Sequence, residues 1–495
     1  MTPAYDKIRS LEKLSAGERG AFKKPLGSLP SIAVLFPNTY HIGASNLGVH
    51  YLYSEINQRD DLLAHRFFYD ILPPLGMEGA HPLGEYDLIL ITIPFELDYP
   101  NALEMLSAAG IPPVRGERSS CHPLIAAGGV AISMNPRPFF DFADLMFSGD
   151  GEIGLPVLLE SFLRHNRSKE DMLRDLSVKK GFIVPEYLSP QGETILPVFA
   201  DNLPSPPISS RFLTPDTEFS DTCLIEISRG CPYGCAFCYV GHCCGPFRAH
   251  SFDEVKKCME RHREGTSRFG LVSSAVGAHP DLEKICRWCL DENLDVSFSS
   301  LRADHISPLV LELLRRSGQK TLTLAPETGN EGFRREVLRK NMSNESLETL
   351  VREAARLGFQ TFKFYFMTGL PGEGIEEIRS SCDLAGRLRQ ILLEEGRAMG
   401  RLPEIVVTLS LFSPRPGTPL GNAPLLSLME MKKRQKVFAD HLRPLPNVRM
   451  QASDPAEALA QGIIARGGPE TGALLLEKSK GRLSWKAALK RMELS

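Results

Sequence analysis

Short apolar runs alternate with stretches of helical period along most of this chain, and the alternation comes in two series. The first occupies residues 31–200. SIAVLFP (31–37), YDLILITIPFE (86–96), PLIAAGGVAI (123–132) and ADLMFSGDGE (143–152) are continuous enough in apolar residues to be strands covered on both faces. Helical patterns follow them, over about Gly43–Ile56, from just after Pro100, and from Glu152 to about Arg164. This order predicts an α/β domain over 1–200 built on a Rossmann-like parallel sheet. Glycines gather after its strands, at the edge where such sheets bind ligands.

The stretch DNLPSPPISSRFLTPDTEFSD (201–221) is rich in Pro and Ser and reads as a linker. A second series starts at Thr222. TCLIEIS (222–228), FGLVSSAV (269–276), LDVSFSSL (294–301), KTLTLAPE (320–327), FKFYFMTG (362–369) and EIVVTLSLFS (404–413) are strand-like, with helical patterns such as SLETLVREAARLGF between them. Six strands alternating with helices predict a full or partial (β/α)6 barrel over 222–440, with its chemistry at the carboxyl ends of the strands. Residues 441–495 read as a basic helical C-terminal extension.

Composition narrows the partners. Of 495 residues 42% are apolar and 24% charged, and the formal net charge is −3. Such a balance gives no electrostatic reason to expect nucleic acid or an anionic membrane as partner. No run approaches the ~20 apolar residues needed to span a bilayer. The first 25 residues are charged throughout, without the apolar stretch of a signal peptide. The expected location is cytoplasmic, where thiols stay reduced and clustered cysteines favour metal over disulfide.

Five of the eleven cysteines fall in RGCPYGCAFCYVGHCCGPFRAH (229–250), directly after the first strand of the second series. Cys231, Cys235 and Cys238 have the spacing C-x3-C-x2-C. Structural zinc sites take four protein ligands, often as two separated pairs. Three thiolates on one tight loop can instead hold three corners of a cluster and leave a fourth position open, which points to catalysis. A structural zinc or a set of buried free thiols is the alternative.

RGCPYGCAFC resembles the cluster-binding loop of the radical S-adenosylmethionine (SAM) superfamily, with Phe237 as the aromatic residue before the third cysteine. The resemblance implies that Cys231, Cys235 and Cys238 ligate a 4Fe–4S cluster, that its open iron chelates SAM, and that one electron cleaves SAM to a 5′-deoxyadenosyl radical. It further implies SAM contacts from Ser300 and Arg302 on the third strand, in SFSSLRAD, and from Glu327 at the end of the fourth. An ordinary salt bridge for Arg302 and a helix-N-terminal acid for Glu327 are the alternatives. GLPGE (369–373) resembles the family's glycine turn, and SLFSPRPGTPL its sixth strand on the adenine side. The usual Gly-Gly-Glu after the second strand is replaced by SSAVGAHP, leaving Ser273 as the candidate for the methionine amine. Cys243 and Cys244 lie outside the pattern and are expected to pack beside the cluster, with a substrate thiol or a radical relay as the alternative. Cys286 and Cys289, one helical turn apart, are expected to be core residues rather than ligands of a second cluster with Cys258 or Cys382.

NPRPFFDFADLMFSGDGE, with Gly128 and Gly129 at one strand end and Gly149 and Gly151 before a helix, resembles the cobalamin-binding-type domain found ahead of many radical SAM enzymes. The resemblance makes cobalamin a third expected cofactor. The D-x-H-x-x-G motif that gives cobalt a histidine is missing; NTYHIGAS offers His41 and Gly43 at a different spacing. Tyr40, His41 and Asn46 are candidates for contacting whatever binds there. The resulting expectation is a cobalamin-dependent methyltransferase acting on an unactivated carbon of a small molecule or peptide, reduced by a flavodoxin or ferredoxin. A radical SAM reaction without cobalamin (methylthiolation, cyclisation, rearrangement) and a non-catalytic iron–sulfur protein are the competing readings.

Overall fold

The apolar runs at 31–37, 86–96 and 123–132 form the middle of a six-stranded sheet. Its strands are β1 (Ser31–Phe36), β2 (Leu63–Phe68), β3 (Leu88–Thr92), β4 (Leu124–Gly128), β5 (Leu145–Phe147) and β6 (Phe182–Ile183), in the order β2-β1-β3-β4-β5-β6. Neighbours are parallel except β5 and β6, which are antiparallel. The chain direction across the sheet reverses between β1 and β3, so the loops after these two strands flank its topological switch point. The computed structural model describes residues 3–165, 168–188, 195–299, 301–481 and 483–493. It divides into two compact units: Met1–Pro204, Ile208–Leu224 and Ile463–Leu494 in one, and Ser205–Pro207 with Ile225–Gly462 in the other.

Strand β2 was not legible as a strand, because LAHRFF carries a histidine and an arginine in its middle. Every one of its residues is nevertheless buried. Arg66 is 1% exposed and bridges two carboxylates. Its Nη1 and Nη2 donate to Glu18 at 2.8 and 2.7 Å, and its Nε donates to Glu78 at 2.5 Å. The guanidinium also lies 4.4 Å from the ring centroid of Tyr53 and 4.1 Å from that of Phe212. A charge this deep is tolerated only when its partners and hydrogen bonds are complete. His50 is buried as well: its Nδ1 accepts from the Arg211 amide and its Nε2 donates to the Ala44 carbonyl, each at 3.0 Å. Burial holds this imidazole down to about 4 and therefore neutral.

The C-terminal residues of this unit return to it as helices. Gly472–Ser479 packs on Tyr99–Ala108. The Asn135 amide donates to the carbonyls of Ile464, Ala465 and Gly467, closing the last turn of the helix Pro455–Arg466.

The six strands expected of the second series are β7 (Cys223–Glu226), β10 (Arg268–Val272), β11 (Asp295–Phe298), β12 (Thr321–Glu327), β13 (Thr361–Thr368) and β14 (Glu404–Leu411). They form a partial barrel in two hydrogen-bonded sections, β11-β10-β7 and β12-β13-β14-β15. Strand β15 (Val448–Ala452) is parallel to β14 and falls within the stretch expected to be helical. VRMQA has little apolar content because it is an edge strand, with Arg449, Gln451 and Ala452 exposed. Two short strands, β8 (Ser228–Arg229) and β9 (Arg248–Ala249), pair antiparallel outside the barrel.

Replacing Arg66 with Met would leave the Glu18 and Glu78 carboxylates buried without their cation. The expected loss is ~3–5 kcal/mol of stability, measured by urea unfolding. His50 gives a pH signature. Its folded value lies below the unfolded one, so the unfolded chain binds more protons and stability falls as pH drops from about 6.5 toward 4. The loss attributable to this group is on the order of 3 kcal/mol and should be much smaller in His50→Asn, compared by urea titrations across that window.

Candidate functional site

The cysteine segment is built as a closed loop. β8 enters it and β9 leaves it, with Ser228 opposite Ala249 and Arg229 opposite Arg248. Arg229 is itself held by a two-point ion pair with Glu226, at 2.8 and 2.7 Å. The chain turns into the loop at Gly230, whose φ of 78° suits glycine and where a Cβ would meet the Pro246 carbonyl oxygen at 2.5 Å. The middle of the loop is pinned by its backbone. The Ala236 amide donates to the Leu338 carbonyl at 2.8 Å, and the Ala236 carbonyl accepts from the Leu420 amide at 3.0 Å. Phe237 inserts next to a core of Leu338, Leu370 and Phe412. This residue serves as an anchor that fixes Cys235 and Cys238 on either side of it. His242 reaches back to the Cys235 carbonyl at 3.0 Å.

Of the three thiols Cys235 is buried and Cys231 and Cys238 are half-buried. Burial pushes Cys231 and Cys235 up, and the neighbouring Cys238 sulfur adds to the rise in both. Lys340 and Arg302 pull Cys235 the other way. Among the described residues no three His, Cys, Asp or Glu side chains are gathered tightly enough to hold a metal ion in this conformation; the Cys231 thiol faces the Tyr233 carbonyl at 3.9 Å. The donor set itself fits an iron–sulfur cluster: three soft thiolates, one loop, and one coordination position without a protein ligand.

Arg302 does not present a free fork. Its Nε and Nη2 donate to the two oxygens of Asp304 at 3.0 and 2.7 Å, and its Nη1 points to the Cys235 sulfur at 3.6 Å. The guanidinium also stacks over Tyr233, 4.2 Å from the ring centroid, and Tyr233 stacks on His305. Glu327 ends β12 in a left-handed conformation, φ 64°, at an irregularity in the β12–β13 register. Its carboxylate accepts from Lys340 at 2.9 Å. This turn is fixed by Arg334, which is fully buried and hydrogen-bonds to main-chain carbonyls and an asparagine. Its Nε donates to the Pro326 carbonyl at 2.9 Å and its Nη1 to Met342 at 2.7 Å, while Nη2 reaches Thr328 and Asn344. Neither Lys340 nor Arg334 was singled out from sequence.

The remaining expected residues are placed as follows. Ser273 lies after β10, buried, with its hydroxyl 2.5 Å from that of Ser228 and accepting from the Ala275 amide. Ser300 lies outside the described residues. The GLPGE turn is held by Glu373, which accepts from Thr368 at 2.8 Å, from the Gly369 amide at 2.6 Å and from Arg434 at 2.6 Å. Cys243 faces the Pro416 carbonyl. Cys258, Cys286, Cys289 and Cys382 are buried, and burial pushes the last three up to about 12, so they are inert packing thiols.

At the carboxyl edge of the first unit's sheet, Tyr40 is 1% exposed and its hydroxyl donates to Glu18 at 2.7 Å, so it supports the interior instead of reaching outward. His41 is exposed and faces Glu218 at 3.3 Å, and Asn46 caps the helix Leu47–Asn57. Gly129, φ 107°, follows Gly128; a Cβ there would meet the Ile93 carbonyl oxygen at 2.6 Å. Gly149, φ 133°, is similarly crowded by the Val198 backbone, and Gly151 starts the helix Gly151–Arg164. Two of the four glycines are thus required by neighbouring backbone. The outward apolar side chains of this edge are Ile42, Phe95 and Val130, each in the segment after β1, β3 or β4.

Two family profiles cover most of what has been described. Residues 48–185 match "Radical SAM proteins, N-terminal", and residues 225–385 match "Radical SAM superfamily". The chain belongs to the radical SAM superfamily. It is 24% identical, over 94% of its length and 95% of the relative's, to an uncharacterized protein of Methanocaldococcus jannaschii. It is 25% identical over 36% of its length to the hopanoid C-3 methylase of Methylococcus capsulatus, of which it spans 33%. The corresponding figures for the cytidylyl-2-hydroxyethylphosphonate methyltransferase of Streptomyces wedmorensis are 27%, 35% and 34%. Its fold is similar to that of TsrM, a radical SAM methyltransferase of Kitasatospora setae solved with cobalamin and a [4Fe-4S] cluster. That likeness covers 94% of this chain and 98% of that one at 13% identity, with a TM-score of 0.54.

Arg334→Met would strip the carbonyls of Pro326, Thr328 and Met342 of their donor. At ~1–3 kcal/mol for each buried group left without a partner, the cost is at least ~3 kcal/mol. It should appear as a lower urea midpoint, and the turn bearing Glu327 should become susceptible to limited proteolysis.

Proposed function

We propose that Cys231, Cys235 and Cys238 of this radical SAM enzyme hold a 4Fe–4S cluster, and that the reaction is methyl transfer to an unactivated carbon with a cobalamin bound by the first unit. The observation that carries the reading is the C-x3-C-x2-C loop at the end of the first barrel strand, clamped through Ala236 and Phe237. When bound, the cluster supplies one electron to SAM, whose cleavage gives methionine and a 5′-deoxyadenosyl radical. This reading assigns SAM to the GLPGE turn, which Glu373 and Arg434 hold, and to Glu327 with Lys340. Glu327 can accept hydrogen bonds from ribose hydroxyls or the methionine amine.

Support for cobalamin comes from the first unit. The loops after β1, β3 and β4 offer Ile42, Phe95 and Val130 as an outward apolar edge beside the switch point, suited to the flat face of a corrin. Bound cobalamin would supply a cobalt able to carry a methyl group. His41 sits at that edge but faces Glu218, so the reading assigns no protein histidine to the cobalt. The likeness to TsrM over nearly the whole chain and the partial likeness to two methyl-transferring enzymes favour methyl transfer over the other radical reactions.

The test uses protein purified without oxygen and supplied with SAM and a one-electron reductant. Wild type should form 5′-deoxyadenosine, and Cys235→Ala should reduce it to background; persistence of that product in the variant would overturn the cluster assignment. The same preparation should retain cobalamin and form S-adenosylhomocysteine. The absence of both would remove the methyl-transfer reading while leaving the cluster assignment standing.

A further inference from the structure

Arg302 stands where the resemblance expects a residue that grips SAM, yet its geometry is that of a group built toward the cluster loop. Two of its three nitrogens are taken by Asp304, in the in-plane two-point arrangement that fixes a guanidinium most firmly. The face of the group is covered by the Tyr233 ring, which belongs to the cysteine loop itself. Tyr233 is backed by His305. With one edge and one face held, the third nitrogen, Nη1, is left directed at the sulfur of Cys235 at 3.6 Å. Cys235 is also the most buried of the three thiols, so a hydrogen bond there acts where water screens it least.

Hydrogen bonds to ligating sulfurs, together with burial and net charge, set the potential of an iron–sulfur cluster. We infer that Arg302 is a positioning residue that donates an N–H···S hydrogen bond to Cys235 and thereby raises the reduction potential of the cluster, with Asp304 and Tyr233 serving to aim it. The bond draws electron density from the thiolate and favours the reduced cluster, which carries one more negative charge. This inference rests on the cluster reading above. It assigns Arg302 to the electron-accepting step and leaves the carboxylate of SAM to other groups.

The experiment is an anaerobic redox titration of the full chain, followed by the electron paramagnetic resonance signal of the reduced cluster, for wild type, Arg302→Met, Arg302→Gln and Arg302→Lys. Iron and sulfide content come first: a wild-type protein that holds no four-iron cluster would sink the cluster reading itself, separately from this inference. With the cluster present, Arg302→Met should shift the midpoint to a more negative potential, beyond the spread of repeat titrations. Arg302→Lys, which keeps the charge but lacks the planar fork, should shift it less. The Fe–S stretching bands of wild type should move in D2O, and the movement should shrink in Arg302→Met. An unchanged midpoint and an unchanged D2O shift in Arg302→Met would overturn the inference. So would loss of the cluster in all three variants, since that would make Arg302 a structural support.

Discussion

Three cysteines are kept on one short loop, close enough for their charges to be felt between them, while only one of them is buried. Much of the second unit's local architecture answers that constraint. The backbone of Ala236 is tied on both sides, so the loop's shape does not depend on the thiols attracting one another. Phe237 gives the same segment an apolar root among Leu338, Leu370 and Phe412. Two cations, Arg302 and Lys340, lie on the side of the buried sulfur, and each is balanced by its own carboxylate, Asp304 or Glu327. The buried sulfur therefore faces paired charge instead of lone cations.

Buried guanidinium groups organise both units, in two different ways. Arg66 joins two carboxylates and holds the amino-terminal segment, through Glu18, against β2. Arg334 instead collects main-chain carbonyls and an asparagine, using four of its five donors as a template for a turn that no regular hydrogen-bond ladder could make. In each case the planar fork determines the path of the chain around it. A lysine at either position would offer a point charge with no such directionality.

The sequence made visible whatever depended on local pattern. Buried parallel strands appear as apolar runs, and the cysteine spacing and the residues around it were readable because the residues of one loop are neighbours in sequence. Partners brought together from a distance were not readable. β2 is interrupted by Arg66, and its strand character becomes apparent only when Glu18 and Glu78 are seen beside it. β15 is a polar edge strand and lacks the apolar run that marks the others. Tyr40 looked available in its loop, but its hydroxyl is held by a carboxylate 22 residues earlier in the chain. Arg302 could be located but not oriented, because its direction depends on Tyr233 from another strand's loop. Lys340 gave no signal, since its contact with Glu327 spans a turn whose left-handed residue is a glutamate.

The pairing of β8 with β9 has a further consequence. By joining residues 228–229 to 248–249, it closes the cysteine segment at its base, so the entropy of loop closure is met by main-chain hydrogen bonds outside the barrel ladder. The interior of the loop then behaves as a cassette on a fixed mount. Cys243 and Cys244 lie inside that cassette, between the two strands that mount it.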